Sequence, residues 1–169
     1  MEFQIGEKVV YPTQGVGTVE QISNRNLTGT SQMFYQLRLG SSGLRVMVPM
    51  SNVESLGLRR VAKLREISAV LDYLNTGSIK APRDWKCRFK ENSDRMRTGS
   101  LLEVAEVFKN LLILSQAKPL SFREKRMFDR SWQLMVDEIA AVRGTPKDTV
   151  AALLVKALSK SKLKVLLPS

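Results

Sequence analysis

The chain has 169 residues, room for one medium domain or two small ones, with 43% hydrophobic and 25% charged residues, as in ordinary globular proteins. Its 27 Lys and Arg against 16 Asp and Glu give a net charge of +11 and a pI near 10.1, a balance that suits a polyanionic partner, nucleic acid before a membrane face. A single cysteine, no histidine and no phosphate-binding glycine loop exclude an internal disulfide, His-based catalysis and a common nucleotide site, so no enzyme, catalytic residue, metal or cofactor is expected.

The opening MEFQIGEKVV lacks the basic start and apolar stretch of a signal peptide, and no apolar run nears the ~18 residues of a membrane span, so a cytoplasmic protein is expected. Short runs rich in β-branched and aromatic residues follow: Lys8 to Tyr11, Val16 to Ile22, Met33 to Leu39 and Leu44 to Val48. In the third, Phe34, Gln36 and Arg38 alternate with Met33, Tyr35, Leu37 and Leu39. Breaks fall at Pro12 to Gly15, in a loop over residues 28–31, and at Gly40 to Gly43. Four or five short strands in about 55 residues predict a small, highly curved SH3-like barrel.

After Ser51 the hydrophobic period changes from two to 3.6. Leu64, Ile67, Val70, Leu71 and Leu74 form a helical stripe that Gly77 and Pro82 close. A second helix is predicted from an Asp84 cap to Gly99, and the pairs Ser100/Glu103 and Ser121/Glu124 match the capping box of two more. Their core faces are Leu101, Ala105, Phe108 and Leu112, then Met127 or Phe128 with Trp132, Met135 and Ile139. Thr145-Pro146 opens a fifth helix carrying Val150, Leu153, Leu154 and Leu158. The expected fold is thus two-domain, all-β plus all-α: a small barrel over residues 1–55, then a compact five-helix domain over residues 62–160.

Charge separates along the same line. Residues 1–60 hold six basic and four acidic residues, and residues 61–169 hold 21 and 12. The acidic partner should therefore meet the helical part. Trp132 lies in an apolar stripe and reads as core, whereas Trp85 stands among Arg83, Lys86, Arg88 and Lys90. An indole so placed can wedge against bases while the cations neutralise phosphates; alternatively, Trp85 and Phe89 staple the helix to its neighbours and the cations face water. A second basic cluster, Arg123, Lys125, Arg126 and Arg130, follows the Ser121 cap, and its Arg126–Arg130 spacing sets like charges together, calling for an outside anion. Nothing in either cluster is suited to reading base edges, so binding by backbone and shape is expected. The nearly neutral β part could recognise another protein at a free sheet edge.

Several motifs recur in order: Gly6-x-x-Val-Val-Tyr-Pro-x-x-Gly-Val-Gly-x-Val19, Met47-Val-Pro49, Val53-x-x-x-Gly57-Leu-Arg59, the block around Trp85, and Leu120-Ser-x-x-Glu-Lys-Arg-Met127. Over residues 1 to about 145 the chain resembles the CarD/CdnL family of bacterial transcription regulators. The resemblance implies a Tudor-like N-terminal domain that binds the RNA polymerase β subunit. It also implies a helical domain that reaches promoter DNA, without sequence specificity, at the upstream fork of the transcription bubble, where a tryptophan matching Trp85 slows bubble collapse. Carried over, the polymerase face is Arg25, Leu37, Arg45, Met47 and Pro49, and the DNA face is Trp85, Lys86, Arg88, Lys90 and Lys125. Many relatives have Arg where this chain has Met47, which implies a more apolar polymerase contact or one whose charge Arg45 supplies, and Arg-Arg-Tyr where it has Cys87-Arg88-Phe89, which implies weaker DNA affinity. The expectation is a monomeric, non-enzymatic regulator; the competing reading is a basic nucleoid- or RNA-associated structural protein acting without polymerase.

Overall fold

The computed structural model describes residues 2–40, 42–76 and 85–161, apart from the side chains of Leu27, Trp85, Lys86, Cys87 and Thr98. They divide into two units, Met1–Val61 and Ala62–Ser169.

The first unit is an antiparallel sheet of five strands: β1 (Lys8–Tyr11), β2 (Gly15–Leu27), β3 (Thr30–Leu39), β4 (Arg45–Pro49) and β5 (Arg59–Arg60), in the order β4-β3-β2-β1-β5. The predicted alternation on β3 holds from Tyr35 to Leu39 and fails before it, where Met33 is exposed and Phe34 is buried. Tyr35, Leu37 and Leu39 are buried, while Arg38 is exposed and Gln36 half-buried. Tyr35 and Leu37 join Phe3, Val9, Val19, Val48, Val53 and Leu58 in one core. The Tyr35 hydroxyl accepts the Phe3 N–H at 3.0 Å, so the one polar group on this large buried ring is satisfied.

Two expectations are corrected here. Residues 28–31 do not form a loop. Leu27 pairs with Thr30, leaving only Thr28 and Gly29 at the turn, with φ of 50° and 80°. Positive φ at both central residues is what a tightly twisted two-residue hairpin needs. The ribbon was hidden because Asn24 to Asn26 and Thr30 to Ser31 are polar and exposed, so no apolar alternation marks it. The β unit also runs past residue 55. Helix α1 (Val53–Leu56) ends in a left-handed Gly57, Leu58 enters the core, and Arg59 and Arg60 pair with Val10 and Val9.

The second unit contains α2 (Leu64–Asn75), α3 (Trp85–Thr98), α4 (Leu101–Ala117), α5 (Phe122–Arg143) and α6 (Lys147–Ser159). Both predicted capping boxes form. Ser100 Oγ accepts the Glu103 N–H at 3.3 Å, and Ser121 Oγ accepts the Glu124 N–H at 3.2 Å, with each glutamate accepting the serine's N–H in return. Between α3 and α4 the chain turns at Gly99, where a Cβ would collide with the Arg95 carbonyl oxygen and lie 3.1 Å from the Glu103 Cβ. The predicted stripes of α4 and α5 are buried, with Phe128 rather than Met127 as the inner residue. Trp132 packs on Phe108, ring centroids 5.2 Å apart, and Phe108 stacks on Phe128 at 4.7 Å. Leu64, expected in the α2 stripe, is instead 64% exposed. It is the first residue of its helix, and helical side chains lean toward the N-terminus, so it overhangs the packed turn.

Candidate nucleic-acid interface

Helices α3 and α5 are joined near their starts, where Arg88 of the first basic cluster meets Glu124. Helix α3 has little apolar surface of its own, with the sequence WKCRFKENSDRMRT. Its Met96 is buried in the core, and two ion pairs complete the attachment: Arg95 to Glu106 of α4 at 3.5 Å, and Arg88 to Glu124 of α5 at 3.5 Å. The second pair is enclosed, with Arg88 6% and Glu124 7% exposed. Glu124 therefore has two tasks. One carboxylate oxygen accepts the Ser121 N–H at 3.1 Å and closes the α5 cap; the other faces the Arg88 guanidinium.

This corrects the expected role of Arg88. A phosphate contact needs a guanidinium that reaches solvent, and this one is held inside against a carboxylate. It fixes the start of α3 to the start of α5 and so orders the surface without touching a ligand.

A second buried cation, on α4, faces the end of α2. Lys109 is fully buried, and its Nζ donates to the Tyr73 carbonyl at 2.6 Å and to that of Thr76, the last turn of α2, while lying 4.8 Å from the Tyr73 ring centroid. Free carbonyls at a helix C-terminus attract a cation, which explains the placement. Burial still holds the Lys109 amine below the usual lysine range. Burial also pushes the Tyr73 phenol up to about 12, helped by the negative Glu106 and opposed by Arg95.

The exposed cations are differently placed. Lys90 on α3 and Arg123, Lys125 and Arg126 on the first turns of α5 all face solvent. Arg130 does not stand bare beside Arg126: it is half-buried and donates to Gln133 Oε1 at 3.4 Å, and Arg126 lies over the Phe122 ring, 5.9 Å from its centroid. Each guanidinium thus has a neutral partner within α5, and both positive charges remain. Trp85 is the first residue of α3, but its side chain and that of Lys86 lie outside the described residues.

On the β unit, cross-strand pairing decides which expected partner residues share a face. Arg25 opposes Gln32, Met47 opposes Gln36, Arg45 opposes Arg38 and Pro49 opposes Phe34. Gln32, Phe34, Gln36 and Arg38 have the same parity on β3, so Arg25, Arg45, Met47 and Pro49 lie on one side of the sheet. Leu37 has the opposite parity and is 0% exposed. It cannot meet a partner directly; it supports the face from within. The pairing also adds residues that sequence reasoning missed. Glu20, at the β2 irregularity between Val19 and Gln21, bonds Arg38 at 3.3 Å and Arg45 at 3.1 Å. Two exposed guanidiniums sharing one carboxylate leave net positive charge, and pairs so solvated contribute little, so Arg45 can exchange Glu20 for an acidic partner at small cost.

Comparison with known proteins fits this two-part arrangement. The family model described as CarD, C-terminal domain matches residues 69–155, and that described as CarD-like/TRCF RID domain matches residues 3–62. The Bacillus subtilis (strain 168) protein named "Putative transcription factor YdeB" is 31% identical over 142 residues, which cover 84% of this chain and 93% of that one. The chain belongs to the CarD family. It is therefore a member of a family of transcription regulators, and its sheet lies in the part that matches the CarD-like/TRCF RID domain. Two solved Myxococcus xanthus structures are also similar. The 72-residue N-terminal domain of CarD is 37% identical, covering 37% of this chain and 83% of that one, with a TM-score of 0.32. CdnLNt is 43% identical, covering 37% of this chain and 89% of that one, with a TM-score of 0.33. Among the described residues no acidic, histidine or cysteine cluster could hold a metal, and no helix is long and apolar enough to cross a membrane.

Proposed function

We propose that this CarD-family protein joins the RNA polymerase β subunit to promoter DNA and stabilises the open complex from the upstream fork of the bubble. Residues 1–61 would be the polymerase-binding domain and residues 62–160 the DNA-binding domain. The observation that carries the reading is the segregation of charge. Residues 61–169 hold 21 of the 27 basic residues, and four exposed cations, Lys90, Arg123, Lys125 and Arg126, lie on α3 and α5, whose starts the Arg88–Glu124 pair joins. In this account Trp85 is the wedge, and Lys86, Lys90 and Lys125 neutralise phosphates. Arg25, Arg45, Met47 and Pro49 meet the β subunit, the partner that the CarD-like/TRCF RID match supports. The protein acts as a monomer in the cytoplasm.

The thermodynamics need no catalysis. A protein that binds the melted fork more tightly than closed duplex shifts melting by the ratio of those affinities. Docking on polymerase raises its local concentration, so weak intrinsic DNA binding suffices.

Trp85→Ala should shorten the lifetime of open complexes on a promoter with an unstable bubble while β-subunit binding stays intact; an unchanged lifetime removes the wedge. Arg25→Glu should reduce retention on immobilised β subunit, and full retention would show that the assigned face is wrong. A helical unit that acts equally well on duplex DNA without polymerase would favour a nucleoid-type structural role instead.

A further inference from the structure

Among the described residues of the second unit, Leu64 and Phe122 are large hydrophobes that face water, and Phe122 stands among cations. Phe122, the first residue of α5, is 75% exposed, while Phe108, Phe128 and Trp132 of the same unit are buried. Position along the helix, not phase, accounts for the difference: Ala140, five turns on at the same angle, is buried where the core closes around α5, whereas Phe122 stands at its first residue. Its neighbours are cationic: Arg123, Lys125 and Arg126 are all exposed, and the Arg126 guanidinium lies 5.9 Å from the ring centroid. The ring is not on a loose element. Ser121 and Glu124 close the cap on either side of it, and the same Glu124 carboxylate holds Arg88 of α3. Exposed at a capped helix start among cations, the ring has a face open to a ligand.

We propose that Phe122 is a second aromatic contact for DNA, stacking on an unpaired base at the fork while Arg123, Lys125 and Arg126 hold the adjoining phosphates. This rests on the proposed DNA-binding role of the helical unit and adds to it a residue that contacts a base. The occupant is argued from charge. Three exposed cations within four residues of the ring repel a basic or neutral protein surface far less than they attract a polyanion, and every nucleobase offers a face to an aromatic ring whatever the sequence. Fully paired DNA keeps its bases stacked inside, so the ring should discriminate fork from duplex, whereas the cations serve both.

The test uses the full chain and two fluorescent DNAs of equal length, one fully paired and one forked with unpaired arms. Phe122→Ala should weaken fork binding about 5- to 150-fold. Duplex affinity and the slope of log affinity against log salt should hardly move, since no phosphate contact is lost. Phe122→Trp should restore fork preference, and Phe122→Leu should not. Because the ring is exposed, the melting temperature should stay unchanged, which separates a lost contact from a lost fold. Fork affinity in Phe122→Ala equal to wild type overturns the proposal while leaving the DNA-binding role standing, since Trp85 would then carry the fork preference alone. Wild type without fork preference overturns both. Restoration by Phe122→Leu overturns stacking, and a loss seen in β-subunit retention instead of fork binding assigns the ring to a protein partner.

Discussion

Replacing Arg88 with Met distinguishes a strut from a phosphate contact. The substitution keeps an unbranched side chain of similar reach but leaves the Glu124 carboxylate, 7% exposed, without its cation. Removing one member of a buried ion pair costs about 3–5 kcal/mol, mainly because the remaining charge is stranded. The 3.5 Å separation and the remaining Ser121 N–H donor place this pair at the lower end, about 3 kcal/mol. The loss should appear as a lower urea midpoint in far-ultraviolet circular dichroism, which the helical unit dominates. Arg88→Met/Glu124→Gln should recover most of it, since the amide keeps the cap acceptor and no charge is stranded. A double-mutant cycle on the full chain measures the coupling. Lys90→Ala is the control, with weakened DNA binding at unchanged stability. Should Arg88→Met behave like Lys90→Ala, with full stability and lower DNA affinity, Arg88 touches phosphate and the reasoning fails.

Leu37→Ala should cost about 2–5 kcal/mol in the β unit, read by denaturation, with β-subunit binding retained at temperatures where the variant is folded. Lys109→Met removes the donor from two α2 carbonyls and should cost about 1–3 kcal/mol, visible as faster amide exchange at the end of α2. Tyr73 keeps its proton up to about pH 12 in the folded chain, whereas the unfolded chain releases it near the ordinary tyrosine value. The folded form therefore binds more protons in that window, so the contribution of Tyr73 to stability is full below about pH 10 and is lost as pH rises toward 12. Tyr73→Phe should lose less stability than wild type between about pH 10 and 12, and equal losses would refute the assignment. Lys125→Ala should reduce the magnitude of the salt slope of DNA binding by about 0.7–0.9, one phosphate's share, with no change in fork preference.

Local rules determined most of the architecture. Change of hydrophobic period from two to 3.6 separated sheet from helices, and serine–glutamate spacing marked two helix starts that the capping hydrogen bonds realise. These signals are local, because backbone pairing within a helix and alternation along a strand depend on neighbours a few residues apart. The family resemblance was equally legible, since its motifs are runs of adjacent residues. Tertiary structure alone decided what each candidate side chain can reach. Arg88 and Lys90 look alike in sequence, yet a carboxylate from α5, thirty-odd positions away, draws one inside and leaves the other in water. Leu37 and Met47 were assigned together, and strand parity puts them on opposite sides of the sheet. Phe122 shares a helix with the buried Phe128 and Trp132, yet its place at the start of α5 leaves it exposed among cations. Burial depends on which distant segments pack together, and that is a property of the folded chain rather than of any stretch of it.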